Sequence, residues 1–173
     1  MPVRKVTAKI GLPFGVGEIG GEWQPDQAER DAAWEMYVEL ITRISVVDLG
    51  PEDGLLEEAL ASLYRLFDIT RDILRRHGPT VAHPKGGTLS FGHLAVAILN
   101  QALRPLLARW HPLLDDYVHS RPTTTSRLDW ERGWALHGEL RAALSEVRQT
   151  LRAYAGLLGE VCEAKGLLTV ALA

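Results

Sequence analysis

One arginine and one histidine have the types and the spacing that acid–base chemistry on a phosphate would need. Arg132 is followed by four residues and then by His137. A histidine exchanges protons near neutral pH, and a guanidinium stabilises negative charge that develops on a phosphate. The pair therefore indicates a candidate catalytic site in which His137 acts as acid or base and Arg132 stabilises the phosphate.

The segment Arg132-Gly133-Trp134-Ala135-Leu136-His137 resembles the Arg-x4-6-His motif of HEPN ribonucleases. The resemblance implies an all-α domain that cleaves RNA without a metal, with two motifs meeting across a homodimer. Gly133 stands where the family usually has a polar residue. The competing interpretation is that His137 packs within the seam of a long helix.

A glycine-rich segment near the N-terminus has the G-x-G-x-x-G spacing of dinucleotide-binding loops, from Gly15 to Gly20. Such a loop opens directly into a helix, whereas residues 21–25 intervene here before the helix cap at Asp26. We therefore interpret the segment as a turn and predict no cofactor.

Metal and thiol chemistry have less support. A di-metal bundle needs Glu-x-x-His motifs, and the near match is Asp116-x-x-His119. His77 and His83 are two lone ligands on a loop, and no cysteine pair exists to bind zinc. Cys162 is the single cysteine, and its place on the packing side of a helix predicts a buried, inert thiol. No metal is predicted.

The elements that would position these residues begin with a strand. Val6, Ala8 and Ile10 alternate with polar residues, and the glycines that follow favour a short hairpin. Because two strands alone are marginally stable in water, we expect this hairpin to lean on the helices or to join a sheet in a partner.

Two helices are predicted next. The first begins at the Asp26 cap, with Glu29 three residues later, and runs to about Val47. Its apolar stripe comprises Trp34, Tyr37, Val38, Ile41 and Ile44, widened by Ala33, Met36 and Leu40. The second begins within residues 51–55 and stops at Gly78. Its stripe is Leu56, Leu60, Leu63, Phe67 and Leu74.

The third predicted helix, Ser90 to about Val118, has no charged residue before Arg104, so we expect it to be the most buried element. Pro105 and Pro112 predict either one bent helix or two shorter ones.

The fourth predicted helix runs from the Ser126 cap to about Lys165. Its seam has heptad spacing at His137, Leu140, Leu144, Val147, Leu151, Tyr154, Leu158 and Val161.

These elements predict an all-α, four-helix up-down bundle with a short glycine-rich N-terminal β-hairpin and an apolar C-terminal tail. The expected parts are residues 1–24 as the strand or hairpin segment, 25–165 as the bundle and 166–173 as the tail. The tail is uncharged, which suits a strand, an extended cover on the bundle or a partner-binding segment.

Composition narrows the classes of function. The net charge of −3 provides no basic field for nucleic acid, although Arg71, Arg75 and Arg76 form a local patch. No stretch has the character of a signal peptide or a membrane span, so we expect no membrane partner and a cytoplasmic location. Arginine outnumbers lysine, which hints at a GC-rich bacterial source.

The leading hypothesis is a non-enzymatic interaction or adaptor module, a homo-oligomer or a subunit of a bacterial complex. The apolar residues at both chain ends and a tryptophan pair motivate it. The candidate interface residues are Trp130, Trp134, Phe14, Val16, Leu167, Leu168 and Val170. The alternatives are the HEPN-like ribonuclease, with Arg132 and His137, and a helical nucleic-acid-binding regulator.

Overall fold

The computed structural model describes residues 5–43, 46–47 and 50–173, which are mostly helical and include a two-stranded antiparallel hairpin. The elements are, in chain order, β1 Val6–Gly11, β2 Glu18–Trp23, α1 Gln27–Ile41, α2 Leu56–His77, α3 Phe91–Ala97, α4 Arg104–His119, α5 Arg127–Arg132, α6 His137–Val161 and α7 Lys165–Leu172. A π-helical turn, Ile98–Leu103, joins α3 to α4.

The predicted hairpin is confirmed. It pairs Val6 with Trp23 at its open end and Gly11 with Glu18 at its turn. The inward side of β1 is buried as the alternation predicted, at Val6, Ala8 and Ile10. The hairpin leans on α6, where the Thr150 hydroxyl donates to the Gly11 carbonyl over 2.7 Å.

A buried carboxylate joins the hairpin to two helices. Asp26 and Glu29 form the predicted capping box at the start of α1. Glu29 is fully buried and also accepts from Trp23 Nε1 over 3.1 Å and from the Phe91 amide over 2.9 Å. Lys85 places its ammonium 3.3 Å from the same carboxylate. Glu29 thus connects the ends of β2, α1 and α3 through charge-assisted hydrogen bonds.

The first helix is shorter than predicted, and its buried face is rotated. It ends at Ile41, where the Thr42 hydroxyl donates to the Val38 carbonyl, and the predicted stripe residue Ile44 lies outside the described residues. Trp34 and Val38 were predicted in the apolar stripe but are exposed. The predicted stripe residues Tyr37, Ala33, Met36 and Leu40 are buried, together with Ala32, which was not predicted. Ala32 was missed because a small side chain is only weakly apolar.

Helix α2 takes its cap from a distant part of the chain. Leu55 stands at the N-cap and has no side chain able to accept a hydrogen bond. The buried carboxylate of Glu131 accepts instead from the amides of Leu56, over 2.7 Å, and Glu57, over 3.1 Å. At the other end of α2, Gly78 has a φ of +74°, which suits glycine, and the predicted stop is confirmed.

The third predicted helix is continuous from Phe91 to His119. Pro105 lies directly after the π-helical turn, which loosens the backbone where the proline ring would crowd the preceding carbonyl. Pro112 lies inside α4. The first half is well buried, but Val96 is 45% exposed and Asn100 is also exposed, so one side faces solvent.

The prediction of one continuous fourth helix is wrong. The Ser126 cap is present, but α5 ends at Arg132, residues 133–136 interrupt the helix, and α6 begins at His137. The aromatic packing of Trp134 against α4 accompanies this break. The heptad seam of α6 is buried from Leu140 to Val161, whereas His137 is only half-buried.

The long helices share one core. Helix α1 contacts α2 and α6, and α4 also contacts α2 and α6. Among the described residues, no helix combines the length and the apolar character needed to cross a membrane.

Candidate interaction surface

The apolar tail is a helix, so the predictions of a strand or an extended cover are wrong. The chain turns after α6 at Glu163, with a φ of +55°, and Lys165 begins α7. Leu168 packs against the core, whereas Leu167 is 43%, Val170 75% and Leu172 41% exposed. After Lys165 the helix has no charged residue, so its free side is an apolar surface in contact with water.

Tyr37 of α1 fixes α7 in place. Its hydroxyl donates to the Ala164 carbonyl over 2.8 Å and accepts from the Leu168 amide over 2.9 Å. Its ring packs so closely on α6 that a Cβ atom at Gly159 would lie 3.0 Å from it. The short helix is therefore held by backbone hydrogen bonds to a buried side chain as well as by the packing of Leu168.

Helix α1 also exposes apolar side chains beside the buried Tyr37. The Trp34 ring centroid lies 6.2 Å from that of Tyr37. Trp34 is 44% and Val38 37% exposed, and both line a surface groove of about 380 Å³ between α1 and α2. We call the exposed set on the two helices the α1–α7 surface: Trp34, Val38, Leu167, Val170 and Leu172. The α1 part was missed because those residues also satisfy the spacing of a core stripe.

The predicted tryptophan pair lies elsewhere and is engaged within the fold. Tyr117 stacks on Trp130, with ring centroids 4.7 Å apart, and on Trp134, at 5.5 Å. Trp130 Nε1 donates to the Tyr117 carbonyl over 2.8 Å, and Trp134 meets Trp110 edge-on at 6.2 Å. These contacts attach the α5 segment to α4, so the pair anchors the break before α6.

The hairpin turn holds the other two candidate interface residues near the N-terminus. Phe14 is 42% and Val16 58% exposed, and Phe14 has a φ of +60°. The Phe14 amide donates to Glu146 of α6 over 2.8 Å. The turn thus presents two apolar side chains on a backbone anchored to α6, apart from the elements that form the α1–α7 surface.

The structure places Arg132 and His137 at the two sides of the break between α5 and α6. Arg132 lies 3.3 Å from the Glu52 carboxylate and also donates to the Glu52 carbonyl. Burial lowers the pKa of His137, and the neighbouring charges of Arg141 and Arg132 lower it further. The arginine is therefore engaged by the loop before α2, and the histidine favours its neutral form.

The remaining candidate ligands are dispersed. His119 approaches Asp115, not Asp116, and His77 pairs with Glu35 over 2.8 Å. Burial raises the pKa of the half-buried Cys162 thiol to about 11, which opposes thiolate formation. Within the described ranges, no group of three or more histidine, cysteine or acidic side chains is arranged to hold a metal ion.

Comparison of the chain with models of protein families, with curated proteins and with solved structures found no match. The function is therefore inferred from the geometry of the chain itself.

Proposed function

We propose that this chain is a non-enzymatic interaction module that self-associates through the α1–α7 surface. The observation that carries the proposal is that α7 holds Leu167, Val170 and Leu172 in water while Tyr37 fixes the helix to the body. Large exposed apolar patches mark interfaces in soluble proteins. A rigid patch also loses little conformational entropy when it binds.

A second copy of the chain is the partner that suits this surface best. In a twofold interface each patch meets its own copy, so any charge near the axis faces a like charge. The uncharged stretch after Lys165 avoids that repulsion. It leaves apolar side chains to face apolar side chains across the axis.

An interface of sufficient area has to include α1 as well as α7. An eight-residue helix is only about 12 Å long, whereas a stable interface buries about 800 Å² on each partner. Helix α7 alone is too small for that. Trp34 and Val38 supply further apolar surface next to Tyr37, at one edge of a groove whose lining also includes the charged residues Glu35, Glu39, Asp72 and Arg76.

The same proposal includes the arrangement of the four long helices and the bacterial, cytoplasmic location of the chain. Each of α1, α2, α4 and α6 contacts the next in chain order, and α6 returns to α1, which supports an up-down-up-down arrangement. The single cysteine and arginine-rich composition suit a bacterial cytoplasmic subunit. The ribonuclease and the nucleic-acid-binding regulator stay predictions, because no described contact favours either.

The test compares two valine substitutions by sedimentation velocity from low to high micromolar protein concentration. We expect the wild type to dimerise. Val170→Asp should weaken dimerisation at least tenfold, because it places two like charges across the axis. Val96→Asp, on α3 and also exposed, is the matched control and should leave the dimer intact. A monomeric wild type, or equal effects of both substitutions, would contradict the proposal.

A further inference from the structure

A second groove, between α2 and α4, differs from the α1–α7 surface in its chemistry. Its volume is about 370 Å³, within the lower range of small-ligand sites. Phe67 and Leu107, both nearly buried, contribute apolar surface, and Tyr64 is 42% exposed. Three arginines also line the groove, Arg65, Arg71 and Arg104.

The cations of this groove outnumber its anions. Asp68 is the acidic residue in the lining, and it pairs with Arg71 over 2.9 Å at an exposed position. In the described part of the chain, neither Arg65 nor Arg104 has a carboxylate within ion-pair distance. Arg104 uses Nε to donate to Asn100 over 3.0 Å, which leaves the N–H groups of both terminal nitrogens for another acceptor.

The Phe67 ring contacts the guanidinium groups of Arg71 and Arg104. The guanidinium carbon of Arg104 lies 5.2 Å from the centre of the Phe67 ring, and that of Arg71 lies 5.8 Å from it. Such cation–π contacts orient both groups within one groove before any ligand arrives. Both arginines line the same groove, so a bound anion there would be attracted by both positive charges.

The aromatic side of the groove provides a place for a planar ring. Tyr64 lies 6.4 Å from Phe67 and meets His111 edge-on at 4.9 Å, measured between ring centres. These contacts hold the tyrosine ring while leaving it partly open to solvent. A flat aromatic ligand stacks favourably on such a ring.

We propose that the α2–α4 groove binds a nucleoside phosphate, with its base against Tyr64 and its phosphate between Arg71 and Arg104, and with Arg65 adding positive charge. Guanidinium groups form bidentate hydrogen bonds to phosphate oxygens, which distinguishes a phosphate from a point-like anion. The volume suits a single nucleotide and not a long strand. This site is independent of the α1–α7 surface.

The test is isothermal titration calorimetry of the full chain with adenosine 5′-monophosphate as the probe. Adenosine and inorganic phosphate, each titrated alone, separate the contributions of ring and anion. We expect saturable binding of the nucleotide with a Kd below about 1 mM, at least tenfold tighter than either fragment. Arg104→Gln and Tyr64→Leu should each weaken it at least fivefold, and both positions are exposed enough to keep the fold.

Arg109→Gln is the matched control, because Arg109 lies on α4 outside the groove and contacts Trp110. It should leave the Kd unchanged. No binding of the nucleotide, or equal weakening by Arg104→Gln and Arg109→Gln, would overturn the proposal. So would binding of a single-stranded oligonucleotide with no binding of the mononucleotide. None of these results depends on whether the chain dimerises.

Discussion

Tyr37 and Gly159 pack in direct contact, and a Cβ atom at position 159 would lie 3.0 Å from the tyrosine ring and from its hydroxyl oxygen. Tyr37 in turn bonds to both ends of the turn into α7. The position of the exposed C-terminal helix therefore depends on a contact between α1 and α6.

Gly159→Ala should destabilise the protein by up to about 2 kcal/mol, the net of two opposing effects. Alanine favours a helix over glycine by about 1 kcal/mol, but overpacking against Tyr37 costs about 1–3 kcal/mol. Gly156→Ala is the control, because a Cβ there meets nothing within 4 Å. Urea unfolding should show that Gly156→Ala stabilises the protein, and a stabilised Gly159→Ala would contradict the contact.

Tyr37→Phe should release α7 without unfolding the rest of the chain. The change removes two hydrogen bonds to the backbone of Ala164 and Leu168, with an expected cost of about 1–2 kcal/mol. Hydrogen exchange should show faster exchange at the Leu168 amide than in the wild type. Unchanged protection there would mean that packing alone holds the helix.

Glu131→Ala should cost about 1–2 kcal/mol, because it leaves the first amides of α2 without an acceptor. The control is Glu58→Ala, an exposed glutamate in the first turn of the same helix. We expect the control to change the free energy of unfolding by less than about 0.5 kcal/mol. Equal losses in thermal or urea unfolding would assign the effect to charge near the helix end and not to the cap.

His137 should make the protein less stable as the pH falls. Burial lowers its pKa below the ordinary value of 6.5, so the unfolded chain takes up the proton first. The contribution of neutral His137 to the free energy of unfolding is complete above pH 6.5 and is lost as the pH falls through the folded-state pKa. His137→Gln should therefore flatten the stability profile below pH 6.5 and leave its slope unchanged above that pH.

His119 should change the stability of the protein with pH in the opposite direction, and the same experiment can measure it. The hydrogen bond to Asp115 and the charge of that residue raise the pKa of His119 above 6.5. The contribution of protonated His119 to the free energy of unfolding is present below pH 6.5 and is lost as the pH rises through the folded-state pKa. If both substitutions change the slope of stability against pH with the same sign, one of the two assignments is wrong.

Local sequence rules located the features that depend on neighbouring residues. The alternation in β1, the cap at Asp26 and the seam of α6 follow from the period of a strand, a side chain that reaches the next turn and the period of a helix. Each of these depends on residues close together in sequence, and each was confirmed, the seam of α6 from Leu140 to Val161.

Long-range contacts decided what those rules missed. Leu55 has no local signal for a helix start, because its acceptor is Glu131 from another helix. The exposure of Trp34 and the break at residues 133–136 likewise depend on which neighbour each tryptophan contacts. For the candidate surface, composition identified the apolar tail but gave no sign of its α1 half.

The Glu29 carboxylate has a consequence for how the molecule comes apart. Because it bonds to Trp23, to the start of α1 and to Phe91, opening the hairpin would take one hydrogen-bond donor from a fully buried carboxylate that Lys85 and two helix ends also hold. The hairpin should therefore melt together with α1 and α3 as one cooperative unit, with hydrogen-exchange protection equal to that of the helices. The hairpin would then belong to the same cooperative folding unit as the helices. A chain cut before Gln27 would lose the helical fold as well.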